Sequence, residues 1–330
     1  MITFIGSTYQ YQGEQLTSPE IIYIVDHHYN ENDLCFPVKK LLDNSICDPK
    51  LHTLAFDHVL RHEDELADYH CVFVPYLLAK ETENFKNQNI QYNWSQKTKT
   101  FNFMINKPRL HREFLLILLT HFGFNKNNYS YSLPWRNINI NRQHLSTVTT
   151  NAIYQDIIDK TAINIANTDY VFGPEVVMDR GVRNGSFKNA QTYQGLLQTT
   201  VFEPSCYSLI TEPAFYERET IITEKTIMAI YGGTMPIWVG GWRIADWMRD
   251  QGFDVFDDII DHSYQNLSDP MDRCYEAVYR NYELLHDFET SKKFIEYNQT
   301  RLQYNLDLLE KNNFLTECKK KQQMLGMKLF

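Results

Sequence analysis

The sequence predicts an α/β protein with parallel sheets, divided into two domains. Short β-rich runs separated by helical and polar segments recur along the chain, the pattern that parallel strands with crossover connections leave in a sequence. At 330 residues the chain exceeds the usual single-domain size. A hydrophobic content of 43%, with 14% aromatic residues, is enough to fill more than one core.

Taken in order, the strands Ile2–Ile5, Ile21–Val25, Thr53–Phe56 and Cys71–Val74 are separated by helices expected at Pro37–Leu42 and Asp57–Asp68. The stretch Lys80–Thr100 is rich in Asn, Gln and Lys and reads as a linker. A new strand, Phe101–Ile105, follows, then a basic turn and an apolar helix from Arg109 to Phe122 with Gly123 as its C-terminal stop. Further expected elements are a helix at Ala152–Asn164, an irregular segment at Val176–Gln194, and a strand at Cys206–Thr211. Beyond these come a helix at Trp242–Gln251, a strand at Phe253–Phe256, and helices at Pro270–Leu284 and Ser291–Lys311. The charged run Glu317–Lys321 reads as a solvated helix end. The domain boundaries that result are 1–98, 99–288 and a helical tail at 289–330.

Composition narrows the function. A formal charge of −9 argues against a broad nucleic-acid surface. The six cysteines are dispersed without a CxxC pair, as expected for reduced thiols rather than a disulfide framework or a zinc site. The first residues lack a basic and apolar leader, and no apolar run approaches the roughly 18 residues of a membrane span. A cytoplasmic location is expected, so the Asn-x-Ser/Thr triplets at Asn93, Asn128, Asn184, Asn266 and Asn298 read as chance occurrences.

The most informative stretch is residues 220–241. Thr223 can cap a helix by accepting a bond from a free backbone N–H in the first turn. Glu224 and Lys225 then stand at the positive end of the helix dipole, where phosphate binds well. Lys225 adds a mobile cation and Glu224 an acceptor for sugar hydroxyls. Together they suggest capture of a nucleotide-diphosphate sugar. A Gly232-Gly233 break, the strand Met235–Val239 and the Gly240-Gly241 turn complete the unit, and a glycine such as Gly240 lets backbone approach a ligand closely.

A second basic start lies at Asn106–Arg112. Pro108 suits the first helical position, and Arg109 and Arg112, three apart, share a helix face. Arginine grips phosphate oxygens with a planar fork of donors. Glu212, after a strand and before Pro213, stands where acidic residues of nucleotide folds accept ribose hydroxyls. In the first hundred residues Asp26-His27-His28, Asp57-His58 and His62-Glu63 cluster titratable groups that suit a general base. Their spacing matches no metal signature, and neither an Asp-x-Asp triplet nor a GxGxxG, P-loop or GxSxG motif occurs.

Ser208–Glu212, Thr223–Thr226, Ala229, Gly233, Pro236-Ile237 and Gly240 together resemble the donor-site block of family 10 α-1,3-fucosyltransferases. They resemble still more the fucosyltransferase-like glycosyltransferases of bacteria and large viruses, which carry similar stretches to Asn106–Arg112, Gly252–Asp258 and Asp261–Tyr264. The resemblance spans roughly residues 100–285. It implies a GT-B-like fold of two Rossmann-like domains facing a cleft, with residues 1–98 on the acceptor side and 99–288 holding the donor. It further implies that Arg109 or Arg112 with Glu224 and Lys225 contacts the nucleotide diphosphate, that Glu212 matches a family Glu, and that transfer inverts the sugar. Pro213-Ala214 stands where the family has Asn-Ser.

The expected activity is a metal-independent glycosyltransferase using a nucleotide-diphosphate sugar, a GDP-sugar by preference, as co-substrate and no cofactor. Its donor site would comprise Asn106, Arg109, Arg112, Glu212, Thr223, Glu224, Lys225 and Gly240. Asp26, or else Asp57 or His27, would deprotonate the acceptor hydroxyl, each following a strand whose carboxyl edge would face the cleft. The acceptor would be a glycan, a lipid-linked sugar or a protein rather than nucleic acid. Two alternatives stand beside this reading: a metal-dependent hydrolase built on the N-terminal His/Asp clusters, and a non-catalytic nucleotide-sugar-binding module.

Overall fold

The computed structural model describes residues 2–5, 20–24, 48, 50, 52–56, 68, 70–73, 79, 82–83, 96–104, 110–124, 129–132, 142–147, 149–161, 202–212, 220, 222–239, 242–311, 316, 319–320 and 323–324. These residues form a mixed α/β structure with two parallel four-stranded sheets. In the first, β1 (Ile2–Ile5), β2 (Glu20–Ile24), β3 (His52–Phe56) and β4 (His70–Phe73) lie side by side in chain order. Ile24 is paired with Phe56, so β2 and β3 end together at one edge. The helices expected at 37–42 and 57–68 fall outside the described residues, Asp68 excepted.

The second sheet comprises β5 (Lys99–Met104), β6 (Tyr129–Ser132), β7 (Ser205–Ile210) and β8 (Met235–Trp238), in the order β6-β5-β7-β8. Strand β7 is buried along its whole length, as a central parallel strand covered on both faces should be. Between β5 and β6 runs α1 (Leu110–His121), buried continuously from Leu110 to Leu119, in keeping with its unbroken apolar run Phe114–Leu119. Between β7 and β8 runs α4 (Glu224–Tyr231). The two crossovers move outward from the sheet centre in opposite directions, and right-handed connections therefore put α1 and α4 on opposite faces.

The remaining helices complete the two layers. α2 (Arg142–Thr147) and α3 (Ala152–Lys160) precede the segment 162–200, which lies outside the described residues together with the irregular stretch expected there. α5 (Ile244–Asp250), α6 (Pro270–Arg280), α7 (Tyr282–His286), α8 (Phe288–Tyr297) and α9 (Gln299–Lys311) follow β8. α3 and α6 pack on α1, whereas α9 packs on α4 and α8 lies against β5 and β7. Ile295 of α8 and Leu302 of α9 share one core with Phe101, Phe103, Leu115 and Tyr207.

Caps account for several helix boundaries. Asp269 receives bonds from the Met271 and Asp272 amides at 2.7 and 3.1 Å, with Pro270 at the first helical position of α6. α1, α4 and α5 each end in a glycine at positive φ (Gly123, Gly233 and Gly252), closed by a pair of backbone bonds such as Phe124 N–H to Leu119 O at 2.9 Å. Gly232 is required for another reason: a Cβ there would overlap the Phe202 side chain.

The structure corrects three expectations and adds one strand. The strand expected at Phe253–Phe256 is not one: Phe256 has φ 61° and the Asp254 backbone bonds the Asn305 side chain instead, N–H to Oδ1 at 2.8 Å and O from Nδ2 at 2.7 Å. The helix expected over 270–284 breaks at Asn281, whose side chain turns to the Ala277 carbonyl and to both backbone groups of Asp261. The one expected over 291–311 breaks at Asn298, whose amide bonds Phe294 O at 2.8 Å. β6, a short edge strand within a polar tract, carries too weak an apolar signal to be read. Among the described residues no helix is long and apolar enough to cross a membrane.

Candidate functional site

In the strand order β6-β5-β7-β8 the chain reverses its direction of travel between β5 and β7. At such a switch point two crossover helices leave to opposite faces, and the carboxyl ends of the two strands open a crevice in which α/β proteins bind ligands. The first turns of α1 and α4 both follow strand ends at this edge, and of the candidate residues Arg112, Glu212, Thr223, Glu224 and Lys225 lie there.

Arg112, in the first turn of α1, is buried to 3% exposure and donates from Nη2 to the Thr211 carbonyl at 3.2 Å. The next residue, Glu212, is equally buried and accepts from the Thr223 amide at 3.0 Å, the Thr223 hydroxyl, and the Thr226 hydroxyl at 2.7 Å. One carboxylate thus fixes the cap and the first turn of α4. Thr226 in turn accepts from the Trp238 indole N–H at 2.9 Å, tying that turn to the end of β8. A continuous chain of bonds runs from the start of α1, across the end of β7, to the start of α4.

Thr223 caps α4 as the sequence predicts, its hydroxyl accepting from the Lys225 amide. The Lys225 ammonium donates to Thr223 Oγ1 at 3.2 Å and Glu224 Oε1 at 2.6 Å, with side-chain exposures of 14% for Lys225 and 27% for Glu224. Burial alone would raise the Glu224 pKa. The Lys225 charge and hydrogen bond, together with backbone and Thr223 bonds, override it and bring the carboxyl down to about 2. Glu224 is therefore ionised throughout the physiological range. The pair holds a cation, oriented but still partly open to solvent, at the positive end of a helix.

The sequence reading gives no role to Thr226, which it names only within the Thr223–Thr226 stretch, or to Trp238. The signal available was a Thr-x-x-Thr spacing at a helix start, which places two hydroxyls on one face. Asn106, Arg109 and Gly240 of the expected donor set lie outside the described residues, as do Asp26, His27 and Asp57, the expected bases. The strands preceding these last three, β2 and β3, end paired at one sheet edge. Among the described residues no three His, Cys, Asp or Glu side chains are grouped to hold a metal ion. No protein-family model, curated protein or solved structure matches this chain.

Proposed function

We propose that the chain is a glycosyltransferase of the fucosyltransferase-like, GT-B type, moving a sugar from a nucleotide-diphosphate donor, a GDP-sugar by preference, to a hydroxyl of a glycan, lipid-linked sugar or protein. The observation that carries this reading is the position of Lys225: a cation held by Thr223 and Glu224 at a helix start, beside the switch point of a parallel sheet.

A donor pyrophosphate seated on the first turn of α4 meets the helix dipole and the Lys225 ammonium together. As the glycosidic bond to the diphosphate breaks, negative charge builds on the leaving oxygen, and a cation fixed beforehand stabilises it without reorganisation. Glu224 orients the ammonium, and the bonds from Glu212 keep the turn rigid. Arg112 sets the neighbouring strand end, and Arg109 and Asn106 complete the grip on the phosphates. An acceptor hydroxyl, deprotonated by Asp26 or else by Asp57 or His27, attacks the anomeric carbon from the side opposite the diphosphate, with inversion.

A thermal-shift panel of GDP-, UDP-, CMP- and dTDP-sugars tests the reading, because a ligand that binds only the native state raises its melting point. The GDP-sugars are expected to give the largest shift. The absence of a shift from every diphosphate sugar would remove the proposal.

A further inference from the structure

Lys97, two residues before β5, carries its ammonium into the protein, where the residue is only 4% exposed. The ammonium donates to the Gly233 carbonyl at 3.2 Å and the Phe202 carbonyl at 3.4 Å. Among the described residues no carboxylate forms an ion pair with it. Backbone contacts fix the position. The Thr98 and Lys99 amides both donate to Pro204 O at 2.8 Å, and Gly232 packs on Phe202 with no room for a methyl group. Gly233 is the glycine stop of α4, so a buried cation stands at the negative end of that helix. Thr223 and Lys225 stand at its positive end, one eight-residue helix away.

A cation at the carbonyl end acts on an anion at the other. It offsets the partial negative charge there and adds a positive potential that crosses protein rather than water. With a rise of 1.5 Å per residue and the contacts at each end, roughly 20 Å separate the ammonium from a phosphate on the first turn. Over that distance, at an effective dielectric of about 20, Coulomb's law gives about a fourfold change in affinity per phosphate charge.

We propose that Lys97 makes donor binding proton-linked: a diphosphate at the start of α4 binds more tightly when the Lys97 ammonium is charged, and its binding draws a proton onto Lys97. The two effects are equal, because linkage between sites is reciprocal. The ligand's identity rests on the glycosyltransferase reading, whereas the coupling rests on the placement of Lys97 and Lys225 at opposite ends of α4. Burial brings the Lys97 pKa down to about 8, against the raising influence of Cys206 and Glu203, so the charge is free to change near neutral pH. Burial pushes the Cys206 thiol the other way, up to about 12, with Lys292 and Glu296 of α8 acting on it. It also raises the Tyr231 phenol of α4, on which Glu310 of α9 and Glu83 act.

Calorimetric titration of the full chain with GDP at pH 8.5, in two buffers of different ionisation enthalpy, counts the protons taken up on binding. The GDP phosphate, whose second pKa lies near 6, is fully ionised there and contributes none. Wild type is expected to take up about 0.3–0.5 proton, and its affinity to fall about three- to fivefold between pH 7 and 9. Lys97→Met, close in volume but uncharged, should take up no proton and bind GDP with the same affinity at both pH values. Lys97→Arg, charged throughout, should bind as wild type does at pH 7 and keep that affinity at pH 9. A merely structural Lys97 would leave the wild-type affinity flat over this range, a result that needs neither variant to fold. GDP binding without proton uptake in wild type, or undiminished uptake in Lys97→Met, would overturn this proposal and leave the donor site standing. Failure of GDP to bind wild type at either pH would remove both.

Discussion

Arg112 donates from Nη2 to the carbonyl of Thr211 at 3.2 Å, joining the first turn of one crossover helix to the residue just past the neighbouring strand. Because Thr211 precedes Glu212, this bond also anchors the carboxylate that caps the other crossover helix. The two helix starts are therefore linked by hydrogen bonds through residues 211 and 212.

Glu212 is the hub of that coupling. Replacing it with Gln preserves the shape but removes the charge and one acceptor from three bonds, two of them from threonine hydroxyls. Glu212→Gln should cost about 1.5–3 kcal/mol, the usual worth of hydrogen bonds to a charged acceptor. Thr226→Val, which strands the Trp238 indole N–H, should cost about 1–3 kcal/mol. Denaturant unfolding measures both, and losses within about 0.5 kcal/mol would show the network to be slack.

Gly232 ends α4 against Phe202, and no room exists there for a methyl group. Gly232→Ala should destabilise by about 1–3 kcal/mol through overpacking. Adding Phe202→Ala should recover part of that loss, because residues in contact do not behave additively. Equal unfolding midpoints for wild type and Gly232→Ala would contradict the contact.

The Glu224 carboxyl, held down from its ordinary 4.5 to about 2, gives a pH signature with a defined sign. A depressed folded-state pKa stabilises the native state fully above about 4.5, and that stabilisation is lost as the pH falls toward about 2. Melting temperature followed over this window should drop less steeply in Glu224→Gln than in wild type. Parallel curves would mean that the carboxylate does not hold Lys225 as described.

Lys97 gives a slope of the same sign in the alkaline range. Burial lowers its pKa from 10.5 to about 8 against the raising influence of Cys206 and Glu203, while its ammonium bonds the carbonyls of Phe202 at 3.4 Å and Gly233 at 3.2 Å. Between about pH 8 and 10.5 the unfolded chain binds more protons than the folded one, so this group makes stability rise with pH there. Lys97→Met should abolish the rise in a series of denaturant titrations across that range.

Much of the architecture was legible because it is local. Apolar runs marked seven of the eight strands, and Thr223 and Gly123 marked helix ends by capping chemistry that acts within one turn. The errors arose where a distant side chain replaced a backbone partner. Asn305, some fifty residues on, satisfies the Asp254 backbone, and Asn281 and Asn298 break helices that apolar spacing alone would continue. β6 is held by its pairing with β5 and by Tyr129 stacked on Phe101 at 4.9 Å, neither visible in its own four residues. The Glu-Lys pair at a helix start could be read from sequence. The switch point beside it could not, because strand order is a property of pairing between segments a hundred residues apart.

The central claim is that Lys225 and the first turn of α4 hold a donor diphosphate. Calorimetric titration of GDP into wild type and Lys225→Ala tests it most directly. Removal of a charged phosphate contact should weaken binding by roughly ten- to a hundredfold, corresponding to about 1.5–3 kcal/mol, with the fold unchanged by circular dichroism. Equal affinity in the two proteins would contradict the claim.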